Sequence, residues 1–295
     1  MVFRSGTTDK FTVNENGDGS GNDITQGLGY NTNLSYRIRE NTEANNASNN
    51  GTEQAYIRDR DTRIDLTLEF RSQTLSCLKL LGSIDTDSIV FDEESPVEFQ
   101  IEVQHTTTET LVFSGVVFSN ASASLDEGGE LSISFEGFAQ NYEENTNQLG
   151  EAGVPNTDPY QDEELSLSLD GQSVAYMISF DFEIDTRSQP VYSGSQDKRL
   201  PVGATKGVTT VSGSSTLRID DDEFFDEHTE GTGSPVTKRI PYDVEILNSR
   251  NTEKLVLKDT LTEGLESDLV DSENDNEPRT TQADFVSRVV EVQGL

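Results

Sequence analysis

Side chains suited to nucleophilic or acid–base chemistry are scarce in this chain, whose only histidines are His105 and His228 and whose only cysteine is Cys77. The histidines form no H-x-x-x-H pair, and one cysteine cannot complete a tetrahedral zinc site with two scattered imidazoles. There is no G-x-S-x-G elbow, no G-x-x-x-x-G-K-[ST] phosphate loop and no G-x-G-x-x-G turn. With 55 Asp and Glu residues present, a pair of carboxylates carries little information, and most are expected to form a solvated surface. NENGDGSGNDIT (14–25) sets Asn14, Asn16, Asp18, Gly19 and Ser20 at the early positions of a calcium loop. Thr25 stands where a bidentate Glu is required, so the stretch reads as a Gly/Asn-rich segment. DSENDNE (271–277) lacks a turn glycine and reads as an exposed loop. Cys77, in LSCLKLL, reads as a buried apolar residue. An enzyme is not expected, and no catalytic residue, metal or cofactor is assigned.

Charge narrows the partners. The formal net charge is -34 over 295 residues. The one basic cluster, RDRDTR (58–63), is neutralised internally by Asp59 and Asp61. Without a basic patch, tight binding of nucleic acid through its phosphates is not expected. Acid excess with 7 Lys and 14 Arg resembles proteins of extreme halophiles. At molar salt the Debye length shrinks to roughly 3 Å, which screens the self-repulsion. No apolar run is long enough for a membrane helix, and the N-terminal stretch has no apolar core of a secretory signal, so synthesis without export is expected. N-x-[ST] sequons at Asn33, Asn46, Asn50 and Asn120 leave glycosylation open.

High charge and 32% hydrophobic content also characterise disordered chains, but here the apolar residues alternate with polar ones. Leu34, Tyr36 and Ile38 alternate with Ser35, Arg37 and Arg39, and Ile64, Leu66, Leu68 and Phe70 with Arg63, Asp65, Thr67 and Glu69. This is the period of half-buried strands. A polar loop (40–53) separates the two runs. Leu75, Leu78 and Leu81 then recur every three residues, predicting one short amphipathic helix with Ser72 as N-cap and Gly82 at its end. Strands resume at Phe99, Ile101 and Val103, at LVFSGVVF (111–118) and at Leu131, Ile133 and Phe135, the last preceded by the hairpin turn DEGGE (126–130).

Residues 1–30, rich in Gly, Asn, Asp and Thr, read as an arm with little core of its own. NYEENTNQLGEAGVPNTDPYQDE (141–163) has two prolines and no periodicity, and the linker is set at 146–163. Afterwards the same order returns. Phe180, Phe182 and Ile184 alternate with polar residues, VTTVSGSSTLRI (208–219) supplies a strand and DDDEFFDEH (220–228) a helix candidate. Val244 and Ile246 match the 97–103 strand, LVLKD (255–259) matches LVFSG (111–115), and FVSRVVEV (285–292) matches the strand around Phe135. An internal duplication explains this order, with domains at 31–145 and 164–295; two unrelated β-rich domains are the alternative.

LVFSGVVFSNASASLDEGGELSISFEGFAQN (111–141) and ISFDFEIDTRSQPVYSGSQDKRLPVGATKGVTTVSGSSTLRIDDDEFF (178–225) resemble the tail tube proteins of long-tailed phages and their archaeal virus relatives. The resemblance implies a mainly β protein of two tandem sandwich- or barrel-like tail-tube domains, each with about one short helix. It implies a structural virion protein, assembled in the host cytoplasm, whose rings stack into a tail tube around a DNA channel. Two such domains per chain imply three chains in a pseudo-sixfold ring. The implied partners are further copies of the chain and the tape-measure and tail-terminator proteins, with DNA passing through unbound and no membrane involved. Segments 1–30, 40–56 and 186–206 are the candidates for contacts between rings, with Phe3, Phe11, Tyr30, Tyr56, Ile57, Tyr192 and Leu200 as candidate contact residues. Asp65, Thr67, Glu69, Ser212, Ser214 and Thr216 are the candidate lumen-facing positions. The competing class is a halophilic cell-surface or adhesin-type β-sandwich, which lack of an export signal and a wall anchor disfavours.

Overall fold

The computed structural model describes residues 2–3, 10–25, 28–45, 56–85, 87–91, 95–104, 109–146, 149, 158–169, 172–174, 177–193, 200–218, 242–250, 252–267 and 280–295. The strands of the first half are β1 (Val2–Phe3), β2 (Lys10–Glu15), β3 (Gly29–Asn45), β4 (Tyr56–Ser72), β5 (Ser83–Asp85), β6 (Ser88–Val90), β7 (Phe99–Gln104), β8 (Thr110–Asp126), β9 (Ser132–Ala139) and β10 (Asn141–Asn145). Those of the second are β11 (Leu165–Leu169), β12 (Gln172–Val174), β13 (Met177–Asp185), β14 (Gln189–Tyr192), β15 (Pro201–Thr205), β16 (Thr210–Arg218), β17 (Tyr242–Asn248), β18 (Lys254–Ser267), β19 (Thr280–Ser287) and β20 (Val289–Gln293).

The alternation read from sequence becomes one long antiparallel sheet in the order β3-β4-β9-β8-β13-β16-β19-β18. Its first four strands belong to the first half of the chain and its last four to the second. A smaller layer, β2-β7-β8-β10, covers the first four. A matching layer, β11-β17-β18-β20, is extended beyond β20 by β6 and β5. β8 and β18 are long because each runs through both layers. Leu111, Phe113, Val116 and Val117 are all buried in this crossing stretch, and strands covered on both faces read as continuous apolar runs.

The crossing needs a kink, and both halves place it alike. Gly115 takes φ 60 in β8 and Asp259 takes φ 53 in β18. Asp is one of the few side-chain-bearing residues that tolerate this left-handed conformation. Opposite β7 the register jumps between Phe99↔Val116 and Ile101↔Phe113, and opposite β17 it jumps between Tyr242↔Thr260 and Val244↔Leu257. Further along, Phe118↔Gly137 is followed by Asn120↔Glu136, and Thr262↔Phe285 by Gly264↔Asp284. Each jump is a β-bulge that bends the strand between layers.

Between the layers lies a core in which Phe70 stacks on Phe135 at 5.8 Å and Phe180 on Phe285 at 5.9 Å. The two halves are tied at the start of a 3-10 helix, Leu75–Leu80. Glu253, from just before β18, accepts from Thr74 Oγ1 at 2.6 Å, Leu75 N at 2.8 Å and Tyr160 Oη at 2.9 Å. The Arg250 guanidinium lies over the Tyr160 ring at 5.1 Å and pairs with Glu164.

Several expectations are corrected. The helix is 3-10, capped by Thr74 and not by Ser72, and its Leu75, Cys77, Leu78 and Leu80 are all buried. Leucines spaced by three suit three residues per turn. Gly82 follows the Leu81 C-cap and lies against Val90 and Ile89. Burial pushes the Cys77 thiol up to about 12. The helix candidate at 220–228, His105, His228 and the 271–277 loop lie outside the described residues. Strand pairing reaches Asn45↔Tyr56, so residues 40–45 of the expected 40–53 loop belong to β3. FVSRVVEV divides into the end of β19 and β20, which pair with different strands.

Nor is the segment 1–30 free of core. β2 pairs with β7, and Val13, Ile24 and Leu28 are buried. The 14–25 stretch closes on itself, with Gly21 N donating to Glu15 O and Ile24 N to Val13 O. Within the linker, Tyr160 is fully buried and its backbone bridges Ser72 and Leu131. Deletion through residue 9 is therefore expected to leave the thermal transition nearly unchanged. Deletion through residue 28 removes three buried aliphatic side chains, at about 1.5–3 kcal/mol each, and is expected to collapse it in calorimetry.

Candidate assembly surface

Because the register is known across the whole long sheet, its side facing away from the core can be read row by row. One row carries Glu69, Ser134, Ser122, Glu183 and Ser212. The next carries Arg71, Ser132, Ser124, Asp181, Ser214 and Asp284. The candidate lumen positions Asp65, Thr67 and Glu69 of β4 and Ser212, Ser214 and Thr216 of β16 thus share one continuous polar face, although three strands separate β4 from β16. Their neighbours Ile64, Leu66, Leu68 and Val211 point into the core.

The face is not uniform. Around β13 it is acidic and serine-rich. Asp181 has its carboxyl held above the usual range, first by burial and then by the charge of Asp126. Its ionised form is therefore disfavoured in the folded state. That cost is present above the raised value and fades as pH falls below the ordinary aspartate range. Asp181→Asn is expected to raise the melting temperature at pH 7, with the gain shrinking in acid; calorimetry at the two pH values checks this. At the β3–β4 end, Arg39 Nε and Arg63 Nε each approach Asp65 at 2.5 Å. These contacts are ionic and lack hydrogen-bond geometry. The Arg63 guanidinium also lies 5.9 Å from the centre of the buried Phe138 ring.

The long sheet ends at β3 on one side and at β18 on the other. On the outer side of β3 the ladder consists of the two-residue β1, opposite Ser35 and Leu34. The β18 stretch Leu261–Ser267 pairs with β19 among the described residues. In the middle of the sheet the two halves meet through β8 and β13, where Asn120 faces Asp185, Ser122 faces Glu183 and Ala121 faces Ile184. β13 is paired to β16 as β3 is paired to β4, so Ile184 and Ile38 occupy matching places. Ile184 is 0% exposed, whereas Ile38 at the sheet edge is 36% exposed. Arg37 and Arg39 flank it, both exposed.

The candidate contact residues are scattered. Phe11 and Leu200 are partly buried and packed against the core. Tyr30 is half-buried in β3. Tyr192, in the β14–β15 hairpin, is half-buried, and its hydroxyl pKa is raised by burial first and then by the charge of Asp61. Phe3 lies in β1, and Tyr56 and Ile57 pair with Asn45 and Ala44 at the end of the β3–β4 hairpin. The side chains of these last three lie outside the described residues. Sequence reasoning missed the edge formed by Arg37, Ile38 and Arg39. Matching Leu34, Tyr36 and Ile38 with Phe180, Phe182 and Ile184 was the signal that could have found it.

A family model described as phage tail tube protein matches residues 7–280, across both halves of the sheet. The chain belongs to the phage tail tube protein family. No curated protein matches it. As a tail tube protein it is a structural component of the virion tail that assembles with itself into the tube, and this membership does not favour the adhesin-type reading.

Proposed function

We propose that three copies of this tail tube protein close into a ring, each supplying two tandem repeats, and that the rings stack into a tube that conducts DNA. The observation that carries this reading is the repeated strand order with its matched bulges. β3-β4-β9-β8 is followed by β13-β16-β19-β18 in one sheet, and the register jumps fall at the same steps in both. A duplicated unit that joins its twin through β8 and β13 leaves the same junction to be made by β18 of one copy and β3 of the next. Copying the register sets Gly264 opposite Arg39, Leu265 opposite Ile38 and Glu266 opposite Arg37 of the neighbouring copy. Repeating one junction around an axis closes a barrel and removes both sheet edges. Two repeats per chain fill six places with three chains.

In such a ring the polar face lines the channel. Its serines and carboxylates offer a passing polyanion few phosphate contacts, and Asp65 holds Arg39 and Arg63 in ion pairs. The ends of the β3–β4 hairpin, with Tyr56 and Ile57, and the β14–β15 hairpin, where Val191 and Val202 are 39% and 48% exposed, extend toward neighbouring rings. Phe3, beside the β3 edge, joins the ring contact. Tape-measure and terminator proteins complete the tail, and assembly takes place in the host cytoplasm. The charge of -34 adapts the particle to molar salt, where repulsion between copies is screened. Light scattering at molar salt is expected to show rings or tubes that dissociate on dialysis to tens of millimolar salt. A monomer at every salt concentration would contradict the proposal.

A further inference from the structure

At the end of the long sheet where β8 and β18 cross between layers, the two halves differ in what covers them. Ile64 of β4 faces Ala139 of β9 as Val211 of β16 faces Ser287 of β19. Counting back along each strand makes Val208 the counterpart of Asp61. The first of these places is occupied from within the chain. The β14–β15 hairpin, which joins β13 to β16, reaches across β8 and β9 and sets β15 beside β4. The charges of Asp61, Arg63 and Asp65 act there on the Tyr192 hydroxyl. At the base of the hairpin Pro201 is buried and Leu200 packs against the core.

The place beside Val208 is open. Val208 is 77% exposed and Val289 39%. With Val90, Phe91, Val211 and Val290 they line an apolar groove of about 650 Å3. Its wall is fixed, because Lys206 Nζ and Thr209 Oγ1 both donate to Phe91 O, at 2.7 and 2.9 Å. These bonds fasten the stretch before β16 to the residue that follows β6. In a chain with a net charge of -34, apolar side chains held open to water along a fixed groove mark a contact surface.

We infer that this groove receives the β3–β4 hairpin of a second copy of the chain. The β3–β4 pair is the first-half counterpart of β13 and β16. Its hairpin therefore stands to the junction between copies as the β14–β15 hairpin stands to the β8–β13 junction. With β3 of the second copy beside β18 of the first, the hairpin leans across β18 and β19 to the start of β16, as β14–β15 leans across β8 and β9 to β4. Its stem has the reach, since β3 and β4 stay paired beyond Ile38↔Ile64 as far as Asn45↔Tyr56. It also has apolar residues to bury in Ala44, Tyr56 and Ile57. The inference rests on the ring reading and adds to it a contact within the ring. That contact is compatible with one between rings, because the β14–β15 hairpin rests on β4 while its Val191 and Val202 stay exposed.

The test replaces Val208 with a photo-crosslinking phenylalanine analogue in the full chain, and a second variant carries the probe at Val289, so that one perturbed position does not decide the outcome. Each variant is diluted into an excess of unsubstituted protein, assembled at molar salt and irradiated, and the linked peptides are mapped by mass spectrometry. The expected result is a covalent dimer in which the probe joins a peptide from between Arg39 and Arg63 of another copy, lost when the sample is irradiated at a salt concentration where rings are absent. In a sample that shows rings by negative stain, links confined to a single chain, dimers joined through any other peptide, or no dimer from either probe would overturn the inference and leave the ring reading standing. Failure of the unsubstituted protein to form rings at all would overturn both.

Discussion

Replacing Ile38 with aspartate is expected to abolish ring formation and leave a folded monomer. In the single chain Ile38 is 36% exposed at the outer edge of β3, so a charge there remains hydrated. In the proposed ring it would take the place that Ile184 holds at the β8–β13 junction, where exposure is 0%. Losing the burial of an isoleucine costs about 1.5–3 kcal/mol, and placing an unpaired carboxylate in the same site adds a desolvation cost. A loss of about 3 kcal/mol per junction weakens that contact roughly 100-fold, and a closed ring contains the junction at every copy boundary. Ile184→Asp is the control, since it breaks the equivalent contact inside the chain and should unfold the monomer. Rings formed by Ile38→Asp at the wild-type protein concentration would remove β3 from the interface.

The second large effect is expected at Glu253. This carboxylate gathers the Leu75 N–H at the start of the 3-10 helix, the Thr74 hydroxyl and the hydroxyl of the buried Tyr160. It thereby fastens the first half, the connector and the second half to one point. Glu253→Ala takes this acceptor from the Leu75 and Tyr160 donors in a partly buried place, at about 1–3 kcal/mol each, whereas Thr74 retains Ser76 as a partner. A loss of about 2–6 kcal/mol should appear as a lowered urea midpoint at molar salt. Glu253→Gln keeps one carbonyl oxygen as acceptor and should fall between the two. An unchanged midpoint for Glu253→Ala would show that the halves are held elsewhere.

Much of the inner sheet was legible because it obeys a period of two. Ile64 to Phe70 and Phe180 to Ile184 alternate cleanly, each having one buried face and one wet one, and the lumen positions chosen on β4 and β16 fall on the same side of the sheet. The outer layer was harder to read. Val13, Ile24 and Leu28 are isolated apolar residues among Gly, Asn and Asp, and they are revealed as core only by the pairing of β2 with β7 and the folding of 23–28 back onto β2. The connector concealed Tyr160 for the same reason. The spacing of Leu75, Leu78 and Leu81 predicts a short helix without its type, and the period of three belongs to the 3-10 turn observed. Matching LVLKD with LVFSG set Asp259 against Gly115, but the kink itself stayed hidden, because it is a backbone conformation that either residue adopts. The assembly edge was overlooked because exposure of Ile38 has meaning only beside the burial of Ile184.

The central claim is that each chain fills two of six places in a ring. Electron microscopy of rings viewed down their axis at molar salt, combined with their mass, tests it most directly. The account predicts threefold symmetry with pseudo-sixfold features and a mass of three chains of 32.5 kDa each per ring. A ring of six chains, with a single repeat of each lining the channel, would contradict it.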